Sequence, residues 1–250
     1  MNESTRYLVV GRGRWAPRIK AILAGEGRGV SSFEEARCAS SENESAYRSR
    51  ILTSFRASGA RIAWLCVPPG SHILVMMEAA IEAGLHVIVE KPWLCSAEET
   101  RRLEALAKAR QALLAIHYEY CLMDAVEAWR RNWNDGTGLR FGGRLKVQRP
   151  NHLGLPALDN LGSHLFAIHQ YCVPDSSIIE IDCDYNQPDD RRVWLENQTQ
   201  RVAEIDLLAN QEPIIQRFIA RVEAATDGES FPLDLRFALK VARRSALWRP

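Results

Sequence analysis

Two stretches carry residues that could move a proton beside a bound ligand. In one, Glu90-Lys91-Pro92 follows the apolar run His86-Val87-Ile88-Val89, so a lysine stands immediately past the end of a buried strand. In the other, Asn160-Leu161-Gly162-Ser163-His164, a histidine follows an asparagine by one helical turn on the same face. A lysine, ordinarily near pKa ~10.4, titrates lower when desolvated or facing another cation, and can then stabilise charge on an oxygen or nitrogen and give up a proton. Histidine, near ~6.5, exchanges protons around working pH. Asparagine only donates and accepts hydrogen bonds, so Asn160 can orient a group without taking its proton. Lys91, His164 and Asn160 are the candidate catalytic set.

The elements that must position them begin with Ile62–Val67, an apolar run that stops at Pro68-Pro69. Ile73, Met76, Met77, Ala80 and Ile81 then recur at helical spacing, Gly84 ends the helix, and His86–Val89 follows. Strand, turn, helix, strand is a parallel crossover, and open α/β sheets hold ligands past the carboxyl ends of such strands. Glu90 is expected to point away from Lys91 and to anchor the lysine or the cofactor side.

Upstream, Arg6–Val10 reads as a strand that runs into Gly11-Arg12-Gly13-Arg14-Trp15-Ala16, with Ile19, Ile22 and Leu23 on one helical face beyond. G-x-G-x-x-A between strand and helix is the dinucleotide fingerprint. Gly11 allows the turn, Gly13 admits a pyrophosphate close to the backbone, Ala16 keeps helix and sheet near, and the helix start offers free N–H donors. Gly29–Phe33 is the candidate second strand. Glu34 or Glu35 beyond it suits an adenosine ribose hydroxyl, whereas Arg37, Arg12 and Arg14 could receive a 2′-phosphate, so NAD and NADP both stay open. A helix with Tyr47, Ile51, Leu52 and Phe55 inward precedes the crossover. After it, Ser96-Ala97-Glu98-Glu99 is a capping box opening a helix to Arg110, and Gln111–Ile116 is a further strand. His117 and Tyr120, at and just past its end, are candidate substrate contacts. His72 is expected to cap its helix and pack near the cofactor.

This makes five or six parallel strands: a Rossmann-type doubly wound α/β domain over residues 1–120. The texture changes after Trp133. Leu139–Gln148, Ile178–Tyr185 and Arg192–Leu208 read as strands, the last broken near Glu196-Asn197 as a hairpin. A helix bearing Leu161, His164, Leu165, Ile168 and His169 lies among them, and two helices close the chain. Residues 121–250 are thus expected to form a reduced α+β domain with a mostly antiparallel sheet, its last helix a candidate to pack back on the first domain.

Composition narrows the function classes. A net charge of +1 over 250 residues gives no electrostatic case for nucleic acid or an anionic membrane. No apolar run approaches the ~20 residues of a membrane span, and Met1–Val10 lacks a signal-peptide layout. The six cysteines include no CxxC, which suggests reduced thiols, a cytoplasmic location and no metal. His152, in a loop after Pro150, could touch substrate; His169 is expected to be structural or partly exposed.

Together these pieces resemble the family of glucose-fructose oxidoreductase, inositol dehydrogenase and their relatives, nearly end to end. The glycine turn is similar to that family's nucleotide loop. Val67-Pro68-Pro69-Gly70-Ser71-His72 is similar to its proline-proline turn against the cofactor, and Ala83–Pro92 to its Glu-Lys-Pro signature. Asn160–His164 resembles its second-domain motif beside the substrate, and Phe231-Pro232 with the helix to Ser245 its C-terminus. The departures are a shorter second domain, Asn160 where an acid is usual, Ala167 in place of a frequent following acid, and Glu119-Tyr120-Cys121-Leu122 in place of an Arg-Phe-x-Pro segment.

The resemblance implies an NAD(P)-dependent oxidoreductase moving a hydride between nicotinamide and a carbonyl, imine or alcohol of a small polar substrate, as a homodimer or higher homo-oligomer. Val67, Pro68, Pro69, His72, Glu90, Lys91 and Pro92 would then join Gly11, Gly13, Arg14, Trp15, Ala16, Glu34 and Arg37 at the cofactor. Some relatives are regulators, so a non-catalytic NAD(P)-binding sensor is the alternative.

Overall fold

Tyr7–Val10 are all buried, as are Ile62–Leu65 and Val87–Val89, the pattern of parallel strands covered on both faces. The computed structural model describes residues 6–39, 42–68, 70–132, 138–147, 158–173, 178–208 and 211–247; Pro69 and His152 lie outside them. The chain divides into two compact units, residues 1–117 with 220–236 and residues 118–219 with 237–250.

The first unit holds a five-stranded parallel sheet, β1 (Arg6–Val10), β2 (Gly29–Phe33), β3 (Ile62–Leu65), β4 (His86–Val89) and β5 (Leu114–Ile116), in the order β2-β1-β3-β4-β5. Because β1 pairs with both β2 and β3, the strand order reverses at β1, and the loops leaving β1 and β3 meet at that switch point. Its helices are α1 (Trp15–Gly25), α2 (Glu44–Ala57), α3 (Ser71–Glu82) and α4 (Ala97–Ala109). The expected inward faces are buried: Ala16, Ile19, Ile22 and Leu23 on α1, and Ile73, Met76, Met77, Ala80 and Ile81 on α3. The Ser96 capping box is present, its hydroxyl accepting from Glu99 N–H while the Glu99 carboxylate accepts from Ser96 N–H.

A return of the chain completes this unit. Its second segment, residues 220–236, includes the end of α7 (Gln211–Thr226), whereas the body of α8 (Leu235–Leu247) lies in the other unit. Glu223 is held by a two-pronged Arg28 (2.7 and 2.8 Å) and by the buried Tyr7 hydroxyl (3.0 Å). Leu233 carbonyl accepts from Ile116 N–H at 3.0 Å.

The second unit is built on β6 (Arg140–Val147), β7 (Ile178–Tyr185), β8 (Asp190–Glu196) and β9 (Arg201–Asp206), ordered β7-β6-β8-β9. The hairpin break near Glu196 stands where expected, but the sheet is mixed, since β6 and β7 run parallel. Helix α5 (Asp124–Asn132) precedes this sheet in the chain, and α6 (Ser163–Cys172) buries every residue except Gln170. Two glycines let bulky side chains close on β6: a Cβ at Gly142 would run into the Trp194 ring, and one at Gly143 would stand 2.6 Å from Leu165 of α6. The face away from α6 is a ladder of ion pairs, among them Arg144–Asp182 (3.2 Å), Lys146–Asp182 (3.0 Å) and Arg192–Asp190 (2.9 Å). Such pairs each contribute little when exposed. No described helix is long and apolar enough to cross a membrane.

Candidate active site

The glycine turn sits at the switch point because the fold leaves no room for a side chain there. Gly11 has φ +110°, and a Cβ on it would stand 2.6 Å from the Cys66 carbonyl oxygen. Its N–H donates to Phe33 carbonyl (2.8 Å), and Cys66 N–H to Val10 carbonyl (2.9 Å), so β2, β1 and β3 are tied together at this point. Gly13 is different: a Cβ there would meet only the Cys66 carbonyl oxygen, at 4.0 Å. The protein itself does not need glycine at that position, whereas a ligand lying on the turn would. Helix α1 starts beside it with no side-chain cap and no acidic residue in its first turn, and Ala16 is buried. Uncapped N–H groups with nothing negative nearby are what a pyrophosphate requires.

The loop after β2 is held by a residue that sequence reasoning passed over. Arg50 of α2 grips the Glu42 carboxylate through Nε and Nη2, both at 2.8 Å, and donates to Glu35 and Arg37 carbonyls at 2.7 and 3.0 Å. Glu34 and Arg37 are exposed; Glu34 lies 3.4 Å from Lys20. Val67 is half-buried and Pro68 exposed at the turn into α3. His72 does not cap α3. Gly70 occupies that position without a side-chain bond, and the exposed His72 instead sets its ring against Tyr47 of α2, at 5.3 Å.

Lys91 is half-buried at the carboxyl end of β4, followed by a cis peptide to a buried Pro92. Beyond it, Trp93 Nε1 donates to Thr100 Oγ1 (3.1 Å), fixing the loop on α4. Glu90 turns under the sheet edge, where Trp64 Nε1 donates to Oε1 at 3.0 Å and His117 Nδ1 lies 3.1 Å from the same oxygen. A carboxylate offers only acceptors, so Nδ1 carries the hydrogen. His117 is 1% exposed, edge-on to Trp15 and Trp64 at 6.0 and 5.0 Å. It was expected as a substrate contact; in the structure it is closed in and supports Glu90, because a buried carboxylate must be matched by donors.

Burial pushes the Glu90 carboxyl up, but His117, the Trp64 N–H and the Lys91 charge outweigh it and hold the group below its ordinary value of 4.5. A depressed carboxylate contributes stability above its unfolded pKa and loses that contribution as pH falls through the folded value. Glu90→Gln is therefore expected to lower stability at neutral pH and to flatten the decline below about pH 4.5 expected of the unsubstituted protein. Denaturant titrations across pH check this; parallel pH profiles for the two proteins would contradict it.

A cleft of about 480 Å³ in this unit is lined by Val67, Glu90 and Pro92 together with Ile73, Trp93 and Arg102. Its walls include none of Gly11–Ala16, so it adjoins the expected cofactor residues on the α3 and α4 side without following their whole path.

In the second unit His164 is 8% exposed, with its ring edge-on to Tyr120 at 4.7 Å. Asn160 is half-buried one turn earlier, its carbonyl accepting from Ser163 Oγ at 2.9 Å. Ala167 is buried, and so is His169, which is structural as expected but not exposed: Arg244 Nη1 lies 3.2 Å from its Nδ1 and Phe141 packs on its ring. Tyr120 is buried; its hydroxyl accepts from Gln211 Nε2 at 2.5 Å, with the Arg191 guanidinium beside it. Burial first, then the Glu119 carboxylate, push the Tyr120 phenol up against those two. Arg191 was not anticipated, although the alternation Arg191, Val193, Leu195 on β8 puts it in phase with buried residues.

Comparison with known proteins places this geometry. Residues 5–118 match the model of an oxidoreductase family with an NAD-binding Rossmann fold. A segment of 65 residues is 32% identical to the uncharacterized oxidoreductase YfiI of Bacillus subtilis strain 168, over 26% of this chain but only 16% of that protein. Solved structures align along both units. UDP-N-acetylglucosamine 3-dehydrogenase GnnA from Acidithiobacillus ferrooxidans superposes with TM-score 0.77 at 16% identity, over 98% of this chain and 97% of that one. The WlbA (WbpB) dehydrogenase from Thermus thermophilus, solved with NAD and alpha-ketoglutarate, gives 0.75 at 15% identity over 97% and 94%. At such identities the likeness shows the fold. Within the matched segment, Gly11, Gly13 and Ala16 supply the turn and helix start that suit a dinucleotide pyrophosphate.

Proposed function

We propose that this chain is an NAD-dependent oxidoreductase that moves a hydride between nicotinamide and a carbonyl, imine or alcohol of a small polar substrate, a sugar or sugar nucleotide first among the candidates. The observation that carries the reading is Lys91: a half-buried ammonium at the carboxyl end of β4, over a carboxylate fixed by Trp64 and His117. Bound NAD supplies the hydride chemistry. The protein supplies orientation, charge stabilisation and a proton route.

In this reading Lys91 stabilises charge on the reacting oxygen or nitrogen and passes its proton, while Glu90 limits where the ammonium can go. On the resemblance of Asn160–His164 to the second-domain motif, His164 is taken as an acid/base and Asn160 as a hydrogen-bonding group for the substrate. The glycine turn and the α1 N-terminus hold the pyrophosphate. Glu34 at the end of β2 suits a ribose hydroxyl, which favours NAD over NADP. The sugar preference is supported by the likeness to GnnA, a UDP-N-acetylglucosamine 3-dehydrogenase, and to the WlbA dehydrogenase from Bordetella pertussis, solved in complex with NADH and UDP-GlcNAcA.

Calorimetric titration with NAD and NADP, followed by a screen of sugars and UDP-sugars for formation of reduced nicotinamide, tests it. NAD is expected to bind at least about tenfold more tightly than NADP, a difference of about 1.4 kcal/mol, and at least one sugar is expected to be oxidised. Tight NAD binding with no substrate oxidised, and no keto-sugar reduced in the reverse direction, would instead support the sensor role.

A further inference from the structure

Among the described residues, Arg191 is the only charged side chain registered on the inner face of the second unit's sheet. The register sets Leu145 opposite Arg191, Gly143 opposite Val193 and Phe141 opposite Leu195. This is the face that meets α6, since Gly143 abuts Leu165 and Phe141 packs on His169. Arginines on the opposite face are paired: Arg144 with Asp182, Arg192 with Asp190 and Arg201 with Glu204. Among the described residues Arg191 has no such carboxylate; its guanidinium hydrogen-bonds the Tyr120 hydroxyl, and its Nε is buried without a hydrogen-bond partner.

A guanidinium on an apolar face with an unsatisfied buried N–H is costly, and the hydrogen bond it gives to the Tyr120 hydroxyl leaves Nε unmatched. Its surroundings are instead those of a receptor for negative oxygen. The Tyr120 hydroxyl lies beside it, Gln211 Nε2 is 2.5 Å from that hydroxyl, and the Tyr120 ring leads to His164 at 4.7 Å. Glu119, a carboxylate, is also buried next to Tyr120. The planar fork of an arginine matches the two oxygens of a carboxylate or phosphate better than any other side chain.

We propose that Arg191 receives an anionic oxygen group of the substrate, a carboxylate or a phosphate, with Tyr120 and Gln211 completing the donor set. This rests on the oxidoreductase reading for the word substrate, and it narrows the class from polar to acidic compounds. The anion is a specificity handle: it fixes the substrate relative to His164 and leaves the reacting carbon neutral.

The test is a calorimetric titration of the NAD-saturated protein, so that the pyrophosphate site is filled, with glucose, glucuronate, glucose 6-phosphate and inorganic phosphate. Glucuronate or glucose 6-phosphate is expected to bind at least about tenfold more tightly than glucose. Whichever prevails assigns the group as carboxylate or phosphate, and inorganic phosphate competing with it locates the contribution in the anion. Arg191→Gln is expected to abolish the preference, and Arg191→Lys, which keeps the charge but not the fork, to retain part of it. Unchanged circular dichroism and unfolding midpoint in both variants show that they are folded; if Arg191→Gln fails that check, Arg191→Lys carries the comparison alone. Equal binding of anionic and neutral probes by the unsubstituted protein, no saturable binding of any anion, or a preference undiminished in the variants would each overturn the proposal. Because binding is read without turnover, loss of the hydride reading would leave this result standing, and oxidation of neutral sugars alone would do the reverse.

Discussion

Lys91→Ala is expected to lower kcat/KM by about 10³-fold while leaving NAD affinity within about threefold, because the residue acts on charge developing at the reacting atom. Lys91 is half-buried and its charge contributes to holding Glu90 ionised, so removal also leaves a negative group under an emptied site. Lys91→Met separates the two effects, since it restores the packing of the stem without the ammonium. Both variants should be equally inactive if charge and proton transfer are at issue. A methionine variant with near-normal turnover would mean that Lys91 only fills space. Steady-state formation of reduced nicotinamide, with NAD held saturating, makes the comparison.

Gly11→Val is expected to cost at least about 3 kcal/mol of stability, from positive-φ strain together with overpacking. The backbone there has φ +110°, and the first side-chain carbon already falls 2.6 Å from Cys66 O and 3.1 Å from Val67 Cγ1. Neither neighbour can retreat without disturbing β3, whose last residues pair with β1. Gly13→Ala is the informative partner. It meets nothing closer than 4.0 Å, so stability should change by less than about 0.5 kcal/mol, while NAD affinity should fall at least about tenfold if the pyrophosphate lies on that backbone. Denaturant unfolding and NAD titration of the two variants decide this. A Gly13→Ala protein that binds NAD normally would remove the turn from the cofactor site.

Much of this was legible in the residues because period and punctuation agree along the first unit. Buried runs of four or five residues, each followed by a helical stripe and closed by glycine or proline, leave few alternatives to a parallel sheet. The capping box at Ser96 and the hairpin break after Glu196 were equally plain. The parallel pairing of β6 with β7 was not, since direction is set by the long connection rather than by the strands themselves.

The site residues divide along a similar line. Lys91 could be placed from chain order, being the first residue able to reach past a buried strand and its acid. His117 could not. Its burial depends on Trp15 and Trp64, which are distant in sequence, and only the fold brings both rings to it. Arg50 escaped notice because a surface arginine on a helix ordinarily does nothing, and its grip on Glu35, Arg37 and Glu42 depends on how the loop folds back. Arg191 carried a signal in strand alternation, but a charged neighbour on either side masked its phase.

The most direct measurement mixes NAD-loaded protein with an oxidisable sugar or UDP-sugar and follows reduced-nicotinamide absorbance, with Lys91→Ala run in parallel at equal NAD occupancy. The account predicts a substrate-dependent rise in the unsubstituted protein and none on the same timescale in the variant. Equal rises in both, or no rise from any substrate in either direction while NAD stays bound, would contradict it.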